Sequence, residues 1–580
     1  MFLQGEKMKK LSRFLKPYKG SVILLILATF LQTFGQLLSP HFTANIINNG
    51  IIAGDLDYVR QTGFIMILVV FAAGAFSILA VYLSSKLGAA LARDLRAAVF
   101  KKAGNYSVTQ FKEIGTASMI TRNTNDITQV TMLFVFGAQF FLPGPLLAIG
   151  AFILALYRDY TLTMILLGTV LIISIVACFI IFRSVPLFMK LQPKMDKINK
   201  IMREIVVGVR VIRAFNKEDD EKKKLSVVAS NYENLSIKIN NAFAPFMPFM
   251  VFIVSFANIL LIWFGGIRVS YGNTEIGNIT AIMEYSMHIM MAVMMLSWVL
   301  FYIPRAEVSA RRINEVLEKV AKEETGTELV EDSINKIEFK NVSFSYPDAA
   351  EAVLKNISFT AKKGDTIAII GSTGSGKSTV VNLIPRFYEP TSGEILVNGK
   401  NIAYLDPKTL RKKIGFVSQK PIIFSGTVEE NINFGNSASS DEIEKFLELS
   451  QAKDFIEEKE NGILEKVSQS GTNFSGGQKQ RLSIARAIAR KPEVYVFDDS
   501  FSALDYKTDR KLRESLKDVI NESIFIIVAQ RVSTIKNATK IIMLHEGKIE
   551  SQGTHKELME TNERYKQIVL SQLDEQEVFA

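Results

Sequence analysis

Six long apolar stretches lie within the first 305 residues of this 580-residue chain, and they constrain its fold more than any other feature. They cover residues 21–40, 62–85, 132–157, 161–182, 245–267 and 277–303. A helix of about 20 residues crosses the roughly 30 Å hydrocarbon core of a bilayer. Buried helices of a soluble domain are the alternative, but six such stretches exceed what one soluble domain holds. The pattern predicts a multi-pass α-helical membrane domain with six transmembrane helices.

Basic residues are distributed unevenly between these stretches. Lys and Arg are frequent near the N-terminus and in the long connections 86–131 and 183–244, whereas the short connections carry mainly Arg60, Arg158 and Arg268. The positive-inside rule therefore predicts that both termini and both long connections are cytoplasmic. Basic residues beside a lipid bilayer account for the net charge of +10 without a nucleic-acid partner. We expect the cell (plasma or inner) membrane as the location, because no organelle presequence is evident.

The pattern also divides the chain into domains. The connections 86–131 and 183–244 have helical character, and we expect them to extend the spans by about 30 Å as cytoplasmic arms. We assign residues 1–322 to the membrane domain and the acidic stretch 323–335 to a linker. Residues 336–575 form the predicted second domain, with α/β character.

A glycine-rich loop follows the apolar run 367–370 of that second domain. Its residues are Gly371, Ser372, Thr373, Gly374, Ser375, Gly376, Lys377, Ser378 and Thr379. In a strand–loop–helix context this spacing is typical of a P-loop, whose backbone amides surround the phosphates of a nucleotide. Lys377 is placed to reach the β- and γ-phosphates, and the hydroxyl of Ser378 is placed to bind Mg²⁺. The loop predicts ATP and Mg²⁺ as cofactors.

Two further motifs follow in order. One is the segment Ser475, Gly476, Gly477 and Gln478, and the other is the apolar strand that ends in Asp498 and Asp499. With the six spans and two long connections, this order resembles half-transporters of the ATP-binding cassette (ABC) exporters, of the type I exporter fold. The resemblance implies an ATP hydrolase coupled to transport. It also implies that residues 475–478, the signature segment, contact nucleotide held by a second subunit.

The resemblance assigns roles to other positions that match the family. Tyr346 matches the aromatic residue that stacks on adenine. Gln419 matches a glutamine that contacts Mg²⁺ and the attacking water. Asp498 matches the carboxylate that holds Mg²⁺, together with Ser378.

Two positions depart from the family pattern at the hydrolytic centre. The family usually has the glutamate general base where this chain has Asp499, and a histidine facing the γ-phosphate where it has Gln530. Aspartate is about 1.5 Å shorter, and a misplacement of about 1 Å can cost on the order of a hundredfold in rate. Glutamine cannot relay a proton. These losses beside an intact signature resemble the degenerate-site subunit of a heterodimeric bacterial multidrug exporter. A homodimer with two impaired sites is the alternative.

Candidate cargo-binding residues lie in the sixth apolar stretch. Glu284 and His288 are one helical turn apart and could share a hydrogen bond, and Met287 and Met291 could line an adaptable apolar cavity. Lipid-facing methionines and a self-satisfied polar pair are the alternatives. We expect a small hydrophobic or amphiphilic cargo. A lipid or lipid-linked cargo, or an ATP-gated regulatory subunit that does not pump, are the competing hypotheses.

Overall fold

The chain folds into two compact units. The computed structural model describes residues 5–320, 326–347, 349, 351–435 and 437–572. The first unit comprises Met1–Gly104 and Gly115–Lys319, and the second comprises Asn105–Ile114 and Val320–Ala580. Part of the predicted connection 86–131 therefore packs with the second unit.

The first unit contains helices and no strand over the described residues. With α4, which belongs to the second unit, the helices are α1 (Gly5–Leu11), α2 (Lys19–Asn45), α3 (Leu56–Gly104), α4 (Val108–Ile114), α5 (Thr116–Thr121), α6 (Ile127–Phe136), α7 (Pro143–Arg158), α8 (Tyr160–Ala214), α9 (Glu218–Phe243), α10 (Phe246–Ser270) and α11 (Ile276–Glu318). π-Helical turns at Arg122–Asp126 and Gly137–Phe141 join α5, α6 and α7 into one long helical stretch. Helices α3, α8 and α11 all continue well beyond their predicted apolar spans.

Five helical stretches of the described chain are long and apolar enough to cross a membrane. They are Met8–Ile52, Leu56–Gly104, Thr116–Arg158, Glu218–Ser270 and Ile276–Leu296. The predicted fourth span, 161–182, is represented by the shorter apolar stretch Tyr160–Val176 of α8, and several side chains beyond it lie outside the described ones. The membrane-helical class of this unit is confirmed.

Small residues bring the apolar helices of the first unit close together. Ala44 of α2, Ala151 of α7 and Ala281 of α11 are all fully buried in one cluster. Small side chains allow close helix contacts, which favour packing in a bilayer where burial of apolar surface gives little advantage. Large apolar side chains face outward instead, including Phe71 at 75% and Ile78 at 74% exposure. This apolar exterior is typical of a membrane domain.

The second unit is an α/β domain. Its strands are β1 (Lys336–Phe344), β2 (Leu354–Lys362), β3 (Thr366–Gly371), β4 (Ser392–Val397), β5 (Lys400–Asn401), β6 (Ile414–Val417), β7 (Gly426–Thr427), β8 (Lys466–Val467), β9 (Val494–Asp498), β10 (Ile524–Val528), β11 (Lys540–His545) and β12 (Lys548–Gly553). Its further helices are α12 (Lys377–Leu383), α13 (Pro407–Lys412), α14 (Val428–Ile432), α15 (Ser440–Leu449), α16 (Lys453–Glu457), α17 (Gly476–Ala489), α18 (Tyr506–Ser515), α19 (Lys517–Asn521), α20 (Val532–Ile535), α21 (His555–Thr561) and α22 (Glu563–Leu570).

The central six-stranded sheet has the order β12-β11-β3-β10-β9-β6. All neighbours except β11 and β12 are parallel, and every residue of β9 and β10 is buried, as expected for strands covered on both faces. A second, antiparallel sheet has the order β2-β1-β4-β5. Because β3, β9 and β10 are parallel neighbours, their carboxyl ends meet at one edge of the central sheet, where α/β proteins bind ligands. The predicted α/β class is confirmed.

The predicted linker lies between helix α11 and strand β1 in the chain. Helix α11 ends at Glu318 and β1 begins at Lys336. Residues 323–325 of the predicted linker and 573–575 of the predicted second domain lie outside the described residues. The domain boundaries of the sequence analysis remain predictions.

Candidate functional site

The phosphate loop leaves the sheet at the end of β3 with little room for side chains. A Cβ atom at Gly371 would lie 2.2 Å from the carbonyl oxygen of Leu544 on β11, so the close approach requires glycine. Gly376 precedes α12 with a φ of 99°, which also favours glycine, and a Cβ there would meet the side chain of Leu354 at 2.6 Å. The loop then opens into α12, whose first residues are Lys377 and Ser378.

A cavity of about 310 Å³ lies against this loop. It is lined by Val353, Thr373, Gly374, Gly376, Lys377, Ser378, Thr379, Gln419, Asp499, Val528 and Gln530. The structure thus brings together residues that are more than 150 positions apart in the chain, from four of the predicted motifs. The hydroxyl of Ser375 is buried and has no hydrogen-bond partner among the described residues. An unpaired buried hydroxyl is costly, and an oxygen of a bound phosphate would satisfy it.

Lys377 bends back over the loop. Its Nζ donates to the carbonyl oxygens of Gly371 and Ser372, each at 2.8 Å. Burial lowers the pKa of Lys377, an effect that the charges of Asp499 and Asp498 partly offset. The ammonium group is therefore held at the mouth of the loop, where a polyphosphate would stabilise its charged form.

Ser378 and Asp498 form the candidate magnesium site. The Ser378 hydroxyl donates to Oδ1 of Asp498 at 2.9 Å, and the carboxylate is only 5% exposed. Burial raises the pKa of Asp498, and the nearby charge of Asp499 acts in the same direction. A hydroxyl and a carboxylate are hard oxygen ligands of the type that Mg²⁺ prefers, so these residues fit the ion. Bound there, Mg²⁺ supplies positive charge that offsets the charge on the β- and γ-phosphate oxygens.

Asp499 accepts hydrogen bonds from both predicted glutamines. Nε2 of Gln530 donates to Asp499 Oδ2 at 2.8 Å, and Nε2 of Gln419 donates to the same oxygen at 3.2 Å. Asp499 itself has a φ of 49°, a left-handed conformation, and its backbone N–H donates to the carbonyl oxygen of Val528 at 3.0 Å. The two positions predicted to depart from the family pattern, Asp499 and Gln530, are therefore in direct contact.

Tyr346 lies in an aromatic cluster beside α12. Its hydroxyl is 3.2 Å from Oγ1 of Thr379, and its ring meets that of Tyr388 edge-on, with the centroids 5.3 Å apart. Lys112 of α4 donates to the hydroxyl of Tyr388 at 2.6 Å. Tyr388 and this contact could not be predicted from the sequence, because nothing in the chain distinguishes one lysine or tyrosine among many.

Gly476, Gly477 and Gln478 begin helix α17, and Ser475 precedes them as its N-cap. The hydroxyl of Ser475 accepts from the backbone N–H of Gln478 at 3.3 Å, and Oε1 of Gln478 accepts from the N–H of Ser475 at 2.9 Å. This capping box fixes the start of the helix. The described lining of the phosphate cavity includes none of these four residues.

The candidate cargo residues lie on α11. Met287 and Met291 are 58% and 49% exposed on this single chain, whereas Glu284 and His288 are partly buried. Nδ1 of His288 is buried with no hydrogen-bond partner in the described part of the chain. The hydrogen bond between Glu284 and His288 stays a prediction.

Two further residues beside the site were not anticipated. Arg531 donates to the carbonyl oxygens of Leu504 and Ser502, and Gln572 contacts the backbone on both sides of Arg531. Gln572 follows α22 and is 40 and 42 positions from the two loop residues that it contacts, Val532 and Gln530, so no local pattern could indicate it.

Comparisons with known proteins place these observations in a family. Residues 22–293 match the family model of the ABC transporter transmembrane region, and residues 354–502 match that of the ABC transporter. An ABC transporter ATP-binding protein of Mycobacterium tuberculosis is 36% identical over 97% of both chains. The ABC transporter ATP-binding protein YfiB of Bacillus subtilis is 35% identical over 97% of this chain and 98% of its own length.

A solved structure has the same fold. It is described as a bacterial Atm1-family ABC exporter with ATP bound, and it matches with a TM-score of 0.79 and 22% sequence identity over 96% of this chain and 99% of that one. The matched regions include both the membrane helices and the nucleotide-binding domain. The chain therefore belongs to the ABC transporter family: it carries one transmembrane region and one ATPase domain that uses ATP and Mg²⁺ to drive transport, and its fold is that of an ABC exporter.

Proposed function

We propose that this chain is one subunit of a heterodimeric exporter, in which it holds ATP at a slowly hydrolysing site. The observation that carries the proposal is that two amide groups donate to the same oxygen, Oδ2 of Asp499. A general base must offer an oxygen lone pair to the proton of the attacking water. Gln419 and Gln530 hold the Asp499 carboxylate in place, but neither amide can take up that proton and pass it on, as a histidine can.

Nucleotide binding is expected to survive at this site. Lys377, Ser378 and Asp498 retain the residue types that bind phosphate and Mg²⁺, and all three are held by hydrogen bonds at 2.8–2.9 Å. A site that binds ATP without hydrolysing it efficiently retains the nucleotide. The shorter side chain of Asp499 acts in the same direction, because it withdraws the carboxylate from the position of a glutamate.

The signature segment supports the proposal that this chain acts together with a second subunit. Its residues are intact and ordered at the start of a 14-residue helix, where the N–H groups and the helix dipole favour an anion. This segment is outside the described lining of its own phosphate cavity, so it is available to nucleotide on another subunit. A nonidentical partner would supply the glutamate and histidine that this chain lacks, whereas a homodimer would have two impaired sites.

The cargo proposed is a small hydrophobic or amphiphilic compound, moved outward by alternating access. Support comes from Met287 and Met291, whose flexible side chains are exposed on α11, and from the nearby polar groups of Glu284 and His288. We place the protein in the cell membrane with both termini in the cytoplasm, on the distribution of basic residues.

ATPase measurements on the purified complex test the division of labour. Replacing the partner's catalytic glutamate by glutamine should remove nearly all turnover, whereas Asp499→Asn should change it by less than about twofold, because it alters the slow site only. The opposite ranking contradicts the proposal. So does rapid turnover by this chain purified without a second polypeptide.

Transport in inverted membrane vesicles tests the cargo. ATP-dependent accumulation of a lipophilic cationic dye is expected, and the lipid hypothesis predicts flipping of a fluorescent phospholipid instead. ATP binding without movement of either probe would favour a regulatory subunit over a pump.

A further inference from the structure

The loop that carries Gln530 connects β10 to α20. It follows β10, and Gln530 and Arg531 precede the short helix α20. The direction of the Gln530 amide depends on the backbone of this loop, because the side chain must reach Asp499 at 2.8 Å. A cavity of about 500 Å³ lies along one side of Gln530, so close packing does not hold the loop on that side.

Gln572 bridges this loop with both ends of its amide. Its Oε1 accepts from the backbone N–H of Val532 at 2.8 Å, and its Nε2 donates to the carbonyl oxygen of Gln530 at 2.9 Å. The two backbone partners define which end of the amide is oxygen and which is nitrogen. A primary amide satisfies one donor and one acceptor at once, which a carboxylate or an amine at this position cannot do.

Gln572 is itself held by the end of α22. Its backbone N–H donates to the carbonyl oxygen of Val569 at 3.0 Å. Tyr565 and Val569 anchor the helix because both are fully buried, and the hydroxyl of Tyr565 lies 2.7 Å from Nδ1 of His555. The amide of Gln572 is thus presented to the loop from a fixed helix.

Arg531 holds the loop from another direction. Its guanidinium donates to the carbonyl oxygen of Leu504 at 3.1 Å and to that of Ser502 at 3.3 Å. The hydroxyl of Ser502 in turn donates to the backbone carbonyl oxygen of Asp499 at 2.9 Å. The side chains of Gln572 and Arg531 therefore both help to define where Gln530 meets Asp499.

We propose that Gln572 is a positioning residue for ATP hydrolysis, which acts by fixing the loop that presents the Gln530 amide to Asp499 and to the terminal phosphate. The segment after α22 then influences the rate of hydrolysis at this chain's own site, without contacting nucleotide. The proposal uses the same site as the proposed function but does not depend on whether that site is slow or fast.

A double-mutant cycle tests it. ATP hydrolysis is measured for the full-length protein with Gln572→Ala, Gln530→Ala and both changes, in the chain alone and in the complex with the partner's catalytic carboxylate removed. Gln572→Ala should lower kcat by about three- to tenfold with KM changed less than about twofold, the range expected for loss of one or two hydrogen bonds. The double variant should be no slower than Gln530→Ala, because Gln572 acts through Gln530.

Two further variants separate positioning from general destabilisation. Gln572→Glu keeps the acceptor for Val532 but sets an oxygen against the carbonyl of Gln530, so we expect it to lower kcat like Gln572→Ala. Gln567→Ala removes an exposed glutamine from the same helix and should leave kcat and the melting temperature unchanged. Strictly multiplicative losses in the cycle would overturn the proposal, as would an unchanged kcat for Gln572→Ala or an equal loss for Gln567→Ala. The ratio of each variant's kcat to the wild-type kcat can be measured whether the wild-type rate is slow or fast. Rapid wild-type turnover would therefore contradict the proposed function but not the role of Gln572.

Discussion

Gln530 donates from Nε2 to Oδ2 of Asp499 at 2.8 Å, and this contact joins the two positions predicted to depart from the hydrolytic pattern of ABC exporters. Asp499 and Gln530 are hydrogen-bonded to each other, so their effects on hydrolysis are not expected to be independent. An amide that binds the carboxylate keeps it in place, and it cannot accept or return a proton. Hydrolysis at this site is therefore expected to respond to paired changes at Asp499 and Gln530.

Restoring both family residues should accelerate hydrolysis at this site. Asp499→Glu extends the carboxylate by about 1.5 Å, and Gln530→His supplies a group that can be cationic. With the partner's site silenced, we expect the double variant to raise turnover by about tenfold or more, because a well-placed general base contributes on the order of a hundredfold. Single-turnover ATPase assays measure this. Asp499→Glu alone should gain less, and an unchanged rate in the double variant would show that neither residue limits hydrolysis.

Replacing Asp498 by asparagine should stabilise the nucleotide-free domain while removing function. Burial raises the pKa of Asp498, so folding favours its protonated form. Its contribution to stability is present at low pH and is lost as pH rises through the folded-state pKa. At neutral pH the charged carboxylate therefore costs stability, and Asp498→Asn removes that charge while keeping an oxygen for the hydroxyl of Ser378.

Calorimetry and nucleotide titration check both halves of this prediction. Without nucleotide, we expect the melting temperature of the Asp498→Asn domain to rise by about 1–3 °C. Mg²⁺-dependent ATP affinity should fall by at least about tenfold. Asp518→Asn, at an exposed position, serves as the control and should change neither quantity. A lower melting temperature for Asp498→Asn would contradict the argument.

Gly476→Ala should reduce ATP turnover by the complex without changing ATP binding at this chain's own nucleotide site. A Cβ atom at Gly476 meets nothing within 4 Å, and its backbone is not left-handed. The variant should therefore keep its melting temperature and its own ATP affinity. If the signature contacts nucleotide on a partner, the added methyl group obstructs that contact, and turnover of the complex should fall by at least about tenfold.

Gly208→Ala provides a matched control on α8, where the added Cβ would lie 3.9 Å from the side chain of Ile212. It should leave turnover unchanged. Wild-type turnover by Gly476→Ala would argue against the trans role of the signature. Loss of ATP binding to the isolated chain would instead indicate a role within the subunit.

Tyr388 should affect nucleotide binding through its ring and coupling through its hydroxyl. The ring packs edge-on against Tyr346, while the hydroxyl accepts from Lys112 of α4. Tyr388→Phe keeps the ring, so ATP affinity should change less than about twofold. Tyr388→Leu removes the aromatic contact, worth about 0.5–1.5 kcal/mol, and should weaken ATP binding by about two- to tenfold.

The effect on the coupling between ATP hydrolysis and transport is measured in vesicles as the amount of cargo transported per ATP hydrolysed. Tyr388→Phe and Lys112→Ala should each lower this ratio, and combining them should lower it no further, because both remove the same hydrogen bond. Lys101→Ala changes a neighbouring exposed lysine of α3 and should have no effect. Independent effects of Tyr388→Phe and Lys112→Ala would mean that the contact does not carry the coupling.

Local sequence patterns were sufficient to predict the membrane-helical class of the first unit and the strand–loop–helix segment around the glycine-rich loop. Apolar length decides whether a segment can cross a bilayer, and the glycine spacing from Gly371 to Gly376 decides whether a loop can surround phosphate; both are properties of contiguous residues. The resemblance to exporters then predicted roles for Tyr346, Gln419, Asp498 and the signature.

The contacts between distant segments were decided only by the tertiary structure. Parallel pairing of β3, β10 and β9 brings Lys377, Gln530 and Asp499 to one sheet edge, and the sequence alone does not define the direction of the side chains there. The shared oxygen of Asp499 and the bridge from Gln572 each depend on distances below about 3.2 Å between residues far apart in the chain. Hydrogen bonds of this kind depend on how the whole domain packs. Periodicity and motif spacing depend only on neighbours along the chain. For this reason the sequence alone determined the apolar helices and the glycine-rich loop, whereas the contacts of Asp499 and Gln572 required the fold.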